Sequence, residues 1–278
     1  MPNGVTVIKC GGSDAISIAQ ICADVGKLRA ADERAVLVHG GAGDIDRLAA
    51  QLGVIPRTTV SPAGLQSRYT DPAMLDAMVL AMTGRVKPRL LAALATMGVP
   101  AVGLTGLDAG MITAVRKKAR RAVRDGRTMI VRGDLSGRIT AVDPTVLRVL
   151  LDAGLTPVVS PPAGDPDGAP LNVDADRLAA AVAAALGACR LVMLTAAPGV
   201  LRDARDESSV LSCCELPDET LLAHAASGGM HRKLIAAYEA LQGGVPEVRI
   251  ADGRVPEPLS AAIAGAGTVL VRSGKAGL

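Results

Sequence analysis

Twice within the first 45 residues an apolar run ends in adjacent glycines and gives way to a helical pattern. VTVIKC at 5–10 is followed by Gly11 and Gly12, then by apolar positions at helical spacing (Ile18, Ile21, Cys22, Val25, Leu28). AVLVH at 35–39 is followed by Gly40, Gly41, Ala42 and Gly43, then by a helical pattern through Leu48 and Leu52. Short apolar runs suit strands buried on both faces, and an intervening helix lets successive strands run parallel. The chain is thereby confined to α/β architectures with a mainly parallel sheet.

The alternation continues down the chain. Asp71-Pro72 predicts a helix start, with Asp as N-cap and Pro in the first turn, running to about Met97. Strands are expected at 100–106, 155–163, 191–201, 247–253 and 268–272. An Ala-rich helix is expected at 174–187 and another at 230–242, ending at Gly243-Gly244. Residues 113–142 carry β-branched patches and a turn at Asp125-Gly126, which reads as hairpins. PPAGDPDGAP marks a soft boundary, dividing the chain into lobes at 1–165 and 166–278.

Composition removes several function classes. With no Phe or Trp and only two Tyr, the core rests on Val, Leu, Ile, Met and Ala. Aromatic platforms that stack nucleic-acid bases are lacking. Cys10, Cys22, Cys189, Cys213 and Cys214 show no CxxC spacing, and His39, His224 and His231 lie far apart. Neither a disulfide scaffold nor a protein-held metal site is expected. No apolar run reaches the ~18 residues that span a bilayer. The expectation is a reduced, soluble, cytoplasmic protein with no membrane or nucleic-acid partner.

Glycines after a strand let a phosphate approach backbone N–H groups, and a helix N-terminus adds partial positive charge. Neither junction is a Walker A loop or a GxGxxG fingerprint, and each alone is compatible with a tight turn. Lys9 adds weight, because it ends an apolar strand where a surface lysine is out of place. Lys233 lies in a helix beside His231 and Arg232, where a solvated face is the alternative. Asp174 and Asp176 open one helix; capping accounts for one carboxylate, assigned to Asp174. His39 is read as structural or hydrogen-bonding.

These residues stand in an ordered set. KCGG at 9–12, HGGAGD at 39–44, NVDAD at 172–176, TAAPGVL at 195–201 and GGMHRK at 228–233 resemble the amino-acid kinase family, in particular its acetylglutamate kinase branch. The resemblance runs through essentially the whole chain. SRYTD at 67–71 and TGLDAGMITAVRKKA at 105–119 are similar to the carrier-dependent members, the LysW-aminoadipate and LysW-glutamate kinases. In those enzymes the substrate amino acid is attached to the C-terminal Glu of a small acidic carrier protein.

The resemblance implies an amino-acid kinase fold: a three-layer α/β sandwich around a mainly parallel sheet, with a basic β-hairpin region. It also implies ATP and Mg²⁺, and transfer of the γ-phosphoryl group to a side-chain carboxylate. A carboxylate is ionised at pH 7, so the chemistry needs charge stabilisation by lysines and amides rather than a general base. By resemblance, Lys9 and Lys233 flank the phosphoryl group, Asp176 orients both, and Gly12 and Gly41 donate amides. Gly40, Gly41 and Ala42 floor the substrate, Arg68 holds its α-carboxylate, and Asn172 binds its acylamino group. Ala42 stands where enzymes acting on free acetylglutamate have a third Gly. ATP is expected against Thr195, Ala196, Gly199, Val200, Leu201, Ala225, Ala226 and Ser227. A homodimer is implied. The first strand begins near Val5, so the extra N-terminal helix of arginine-inhibited members is not expected. The alternatives are an ordinary N-acetylglutamate kinase and a non-catalytic nucleotide or amino-acid sensor. The presence of Lys9, Asp176 and Lys233 argues against the sensor.

One charge feature stands apart from the family motifs. Between residues 116 and 132 lie eight basic residues, among them Arg116, Lys117, Lys118, Arg120, Arg121 and Arg124, against a single Asp125. That block carries +7 while the whole chain carries +3, leaving −4 for the rest. A local basic block on a mildly acidic body suits an acidic macromolecular partner, here the carrier. A solvated hairpin face is the alternative.

Overall fold

The computed structural model describes residues 4–60, 66–117, 120–124, 127–216 and 228–272. The first half supplies β1 (Val5–Cys10), α1 (Ile18–Ala30), β2 (Arg34–His39), α2 (Ala42–Gln51), β3 (Arg57–Val60), β4 (Gln66–Tyr69), α3 (Pro72–Ala81), α4 (Lys87–Thr96) and β5 (Ala101–Thr105). Four strands follow, β6 (Ile112–Arg116), β7 (Arg120–Arg124), β8 (Arg127–Val131) and β9 (Gly137–Val142), then α5 (Thr145–Asp152). The remainder comprises β10 (Thr156–Ser160), β11 (Ala163–Gly164), β12 (Pro170–Leu171), α6 (Ala175–Leu186), β13 (Arg190–Thr195), β14 (Cys213–Leu216), α7 (Gly228–Gln242), β15 (Val248–Asp252), α8 (Pro258–Ile263) and β16 (Thr268–Arg272).

Eight strands form the central sheet in the order β14-β16-β15-β13-β1-β2-β10-β5. All neighbours are parallel except β15 and β16. Side chains alternate across a strand, and the two faces of β1 meet different helices. Val5 and Val7 pack with α6 and α7, whereas Ile8 and Cys10 pack with α1, α4 and α8. Helices thus cover both faces, a three-layer α/β sandwich. Lys9 shares parity with Val5 and Val7, so its side chain emerges on the α6–α7 side.

The lack of large aromatics shapes that side. Ala179 and Ala183 of α6 and Ala236, Ala237 and Ala240 of α7 are all fully buried. Small side chains let the two helices approach closely. Their register is fixed by Arg177, whose Nε donates to Glu239 Oε2 at 2.9 Å. Asp174 caps α6, its Oδ1 accepting from the amides of Asp176 (2.9 Å) and Arg177 (3.1 Å), as the sequence suggests. Gly187 ends α6 with φ 62°, the left-handed conformation that glycine adopts without penalty.

The helix from Asp71 is capped as expected, with Met74 N donating to Asp71 Oδ1 at 2.9 Å. It is not continuous to Met97. A π-helical turn at Met82–Val86 separates α3 from α4, and Lys87 N bonds back to Met82 O. Pro88 is the cause: it has no N–H, and its ring would strike the carbonyl four residues earlier. The turn widens rather than breaks, and pushes Met82 and Val86 against Gly41.

The 113–142 region is more elaborate than consecutive hairpins. β7 and β8 form one hairpin, joined to β3 and β4 in one four-stranded sheet. β6 pairs instead with β9, in a second small sheet with β11 and β12. The basic block is therefore divided between two sheets.

Candidate active site

Two glycine loops meet at the carboxyl ends of β1 and β2. Gly11 N donates to Leu194 O at 3.0 Å, fixing the first loop to β13. A Cβ on Gly12 would lie 2.8 Å from Ala42 N and 3.1 Å from Gly41 N. Only glycine admits so close an approach of backbone to backbone. Helix α2 begins immediately after Gly41 with no side-chain cap. Gly43 N in its first turn donates to Gly12 O at 3.4 Å, joining the two loops, and the walls of a cleft of about 970 Å³ include Gly11, Gly12, Gly40, Gly41 and Ala42.

The floor of that cleft holds three charged side chains from three elements. Lys9 Nζ lies 2.7 Å from Asp176 Oδ1, and Lys233 Nζ lies 3.2 Å from Asp176 Oδ2. Their side chains are 7%, 12% and 8% exposed for Lys9, Lys233 and Asp176. Burial alone would push the Asp176 carboxyl up, but the Lys9 and Lys233 charges together hold it below the usual carboxylate range. Burial pulls the Lys233 ammonium down, against the opposing pull of Asp176. Two cations on one anion leave a net positive charge, a setting for phosphate oxygens.

His39 ends β2 but is no candidate base. Its Nδ1 lies 2.8 Å from Gly40 O, and burial pushes its imidazolium down to about 4. The ring is neutral near pH 7 and holds the second glycine loop.

Arg68 and Asn172 line the same cleft. Arg68 Nη2 lies 2.7 Å from Asp46 Oδ1 of α2, and Nη1 reaches Met74 Sδ at 3.7 Å. Asn172 Nδ2 donates to Thr70 Oγ1 at 3.0 Å, which turns its Oδ1 the other way. Apolar wall is supplied by Ile45, Met78 and Met82.

A cross-piece at 134–137 ties Thr70, Asn172 and Lys117 together, and nothing in the local sequence signals it. Thr70 N donates to the buried Asp134 carboxylate at 3.2 Å, and Leu135 N donates to Thr70 O at 2.7 Å. Asn172 N donates to Leu135 O at 2.9 Å, and Gly137 N returns to Asn172 O at 2.7 Å. Lys117 N donates to Ser136 O at 2.9 Å, and both residues line the cleft. Asp46, Ser136 and the cleft position of Lys117 are accordingly additions to the residues read from sequence.

The other expected positions are distributed as follows. Thr195 and Ala196 line the cleft. Gly199, Val200 and Leu201 lie beyond its walls: Val200 is buried with its amide on Thr268 Oγ1 at 2.8 Å, and Leu201 bridges to Val210. Ala225, Ala226, Ser227 and Lys118 lie outside the described residues. Arg116 Nε donates to Asp134 O at 3.0 Å, while Arg120, Arg121 and Arg124 belong to β7. Among the described residues no group of three His, Cys, Asp or Glu could hold a metal ion. No described helix is long and apolar enough to cross a membrane.

The amino acid kinase family model matches residues 4–252. The chain is 40% identical to the [LysW]-aminoadipate kinase of Deinococcus radiodurans, across 95% of this chain and 90% of that protein. It is 37% identical to the [LysW]-aminoadipate kinase of Thermus thermophilus, across 95% and 99%. It is also 40% identical to an acetylglutamate kinase of Acidothermus cellulolyticus, across 95% and 90%. Among solved structures, N-acetylglutamate synthase of Neisseria gonorrhoeae superposes with a TM-score of 0.77 at 29% identity. That match takes in 98% of this chain but spans only 60% of the synthase. Carbamate kinase of Giardia shares the fold at a TM-score of 0.68 and 16% identity, over 98% of this chain and all of that one. With the matched residues covering nearly the whole sheet and both glycine loops, the chain belongs to the amino acid kinase family and is a kinase.

Proposed function

We propose that this kinase transfers the γ-phosphoryl group of ATP to the side-chain carboxylate of 2-aminoadipate or glutamate borne on an acidic LysW-type carrier protein, giving an acyl phosphate. The observation that carries the chemistry is the Lys9–Asp176–Lys233 cluster beside the Gly12 and Gly41 loops. The attacking carboxylate is already ionised, so no base is needed. The obstacle is the approach of two anions, and the two ammonium groups and the loop amides lower it. Asp176 sets the spacing of the two lysines. An Mg²⁺ accompanying the nucleotide would be carried by its phosphate oxygens, since the described residues provide no cage for it.

In this reading the N-terminal lobe, residues 1–165, takes the acceptor and the C-terminal lobe, residues 166–278, takes ATP. Arg68 offers a planar fork to the acceptor's α-carboxylate. Asn172 Oδ1 offers an acceptor to the amide N–H through which the amino acid is carried. Support for a carrier comes from the similarity to kinases named for [LysW]-aminoadipate and from the +7 block at 116–132. The similarity to an acetylglutamate kinase favours free N-acetylglutamate as the second reading. Trapping acyl phosphate with hydroxylamine separates the two. The proposal predicts a much higher kcat/KM for carrier-borne aminoadipate or glutamate than for free N-acetylglutamate; the reverse order would establish the second reading.

A further inference from the structure

Cations of the cleft are matched to carboxylates in two ways. At the lysine cluster, the ammonium groups of Lys9 and Lys233 share the single carboxylate of Asp176. On β3 and β4 each guanidinium that lines the cleft has a carboxylate of its own: Arg57 pairs with Asp71, and Arg68 Nη2 lies 2.7 Å from Asp46 Oδ1. Asp46 itself lines the cleft. It is the fifth residue of α2, which starts directly after the Gly41 loop. At 1.5 Å per residue it stands about 6 Å along the axis from Ala42 and on the same face. Its side chain is 55% exposed, against 22% for Arg68. The other acid of this helix start, Asp44, is taken by Arg47 and Arg89 and is not part of the cleft wall.

A guanidinium fork takes phosphate as readily as carboxylate. Arg68 alone would therefore not distinguish a carboxylate acceptor from a phosphate group sharing the cleft. Asp46 supplies the difference. A carboxylate brings one negative charge to Arg68, whereas a terminal phosphate near pH 7 brings about two, and Asp46 repels each of them. We infer that Asp46 is a specificity-determining residue: its carboxylate, paired with Arg68 one helical turn from the Gly41 loop, keeps phosphate off Arg68 and reserves the guanidinium for a carboxylate. Phosphate is left with the lysine cluster, where two ammonium groups face one carboxylate. This role rests on the proposed function, which brings nucleotide and carboxylate acceptor into the cleft together.

The test is calorimetric titration of inorganic phosphate into the full chain at low ionic strength, with a non-hydrolysable ATP analogue saturating the nucleotide site. Asp46→Asn should bind phosphate at least roughly tenfold more tightly than the wild type, the size of one charge repulsion across about 6 Å at a half-exposed site. Asp46→Ser, a second neutral replacement, should show the same gain, and Asp46→Glu should stay close to wild type. Adding Arg68→Met to Asp46→Asn should abolish the gain. Equal phosphate affinity in wild type and Asp46→Asn, or binding by neither, overturns the role. So does a gain that survives Arg68→Met, which would place the phosphate elsewhere. Turnover is read separately with hydroxylamine: the expected phosphate gain with no acyl phosphate from any acceptor leaves the role of Asp46 standing and removes the proposed reaction.

Discussion

Lys9 Nζ lies 2.7 Å from Asp176 Oδ1, with both side chains less than a tenth exposed. A buried pair of this kind is costly to break from one side, because the partner left behind keeps its charge without its counterion. Asp176→Asn leaves two ammonium groups facing each other. It should lower unfolding stability by about 3–5 kcal/mol, read as a lower urea midpoint. Unchanged stability would mean that the lysines are better solvated than this geometry allows.

Removing either lysine has a different signature, since the remaining one still pairs with Asp176. Lys9→Ala and Lys233→Ala should each reduce kcat by roughly 10²–10³, as loss of a preorganised oxyanion donor does. The dissociation constant for ATP should move much less. A variant with near-normal kcat would remove that lysine from the chemistry.

Gly12→Ala places a methyl group 2.8 Å from Ala42 N, against backbone that cannot rotate away. The two loops must part, at a cost of about 1–3 kcal/mol. Because the proposed function uses the displaced amides to hold phosphate, kcat should fall with stability. Wild-type turnover in a correctly folded Gly12→Ala protein would show that these amides do not touch the transferred group.

The Arg68 assignment makes a kinetic prediction. Arg68→Lys keeps the charge but loses the bidentate fork, so KM for the acceptor should rise at least several-fold while KM for ATP holds. An unaltered acceptor KM would place the α-carboxylate elsewhere.

His39 makes stability depend on mildly acidic pH. Burial depresses its folded value to about 4, against roughly 6.5 when unfolded. Between those values the unfolded chain binds the extra proton, so stability is full above about pH 6.5 and declines as pH falls toward 4, by about 3 kcal/mol over the window. Asp176, held below its ordinary value, adds its own loss only at still lower pH. Denaturation at pH 7 and pH 5 should show a smaller drop for His39→Gln than for wild type.

The parts of this site visible in the sequence are those written locally. Strand, glycine pair and helix follow one another within a dozen residues, so both loops can be read directly. The apolar strand that Lys9 ends and the two-carboxylate start of α6 single out Lys9 and Asp176 for the same reason. What escapes is made by contacts between distant segments. The cross-piece at 134–137 exists because Thr70 and Asn172 converge on it, and no local pattern encodes that. Pairing of β6 with β9 around an inserted hairpin is likewise a long-range choice. The π turn was accessible in principle: Pro88 inside a helical pattern announces a distortion, but its direction, against Gly41, depends on packing.

In the proposed reaction a side-chain carboxylate attacks the γ-phosphoryl group while the two lysines stabilise the transfer. The most direct test supplies carrier-borne acceptor labelled with heavy oxygen in that carboxylate, with ATP and hydroxylamine. Attack by the carboxylate makes its oxygen the bridge of the acyl phosphate, and hydroxylamine then expels that oxygen on inorganic phosphate. Such attack should give phosphate carrying one heavy oxygen, in step with hydroxamate, and almost none from Lys9→Ala or Lys233→Ala. Phosphate formed without label would show that the phosphoryl group goes to water or to another acceptor, and would contradict it.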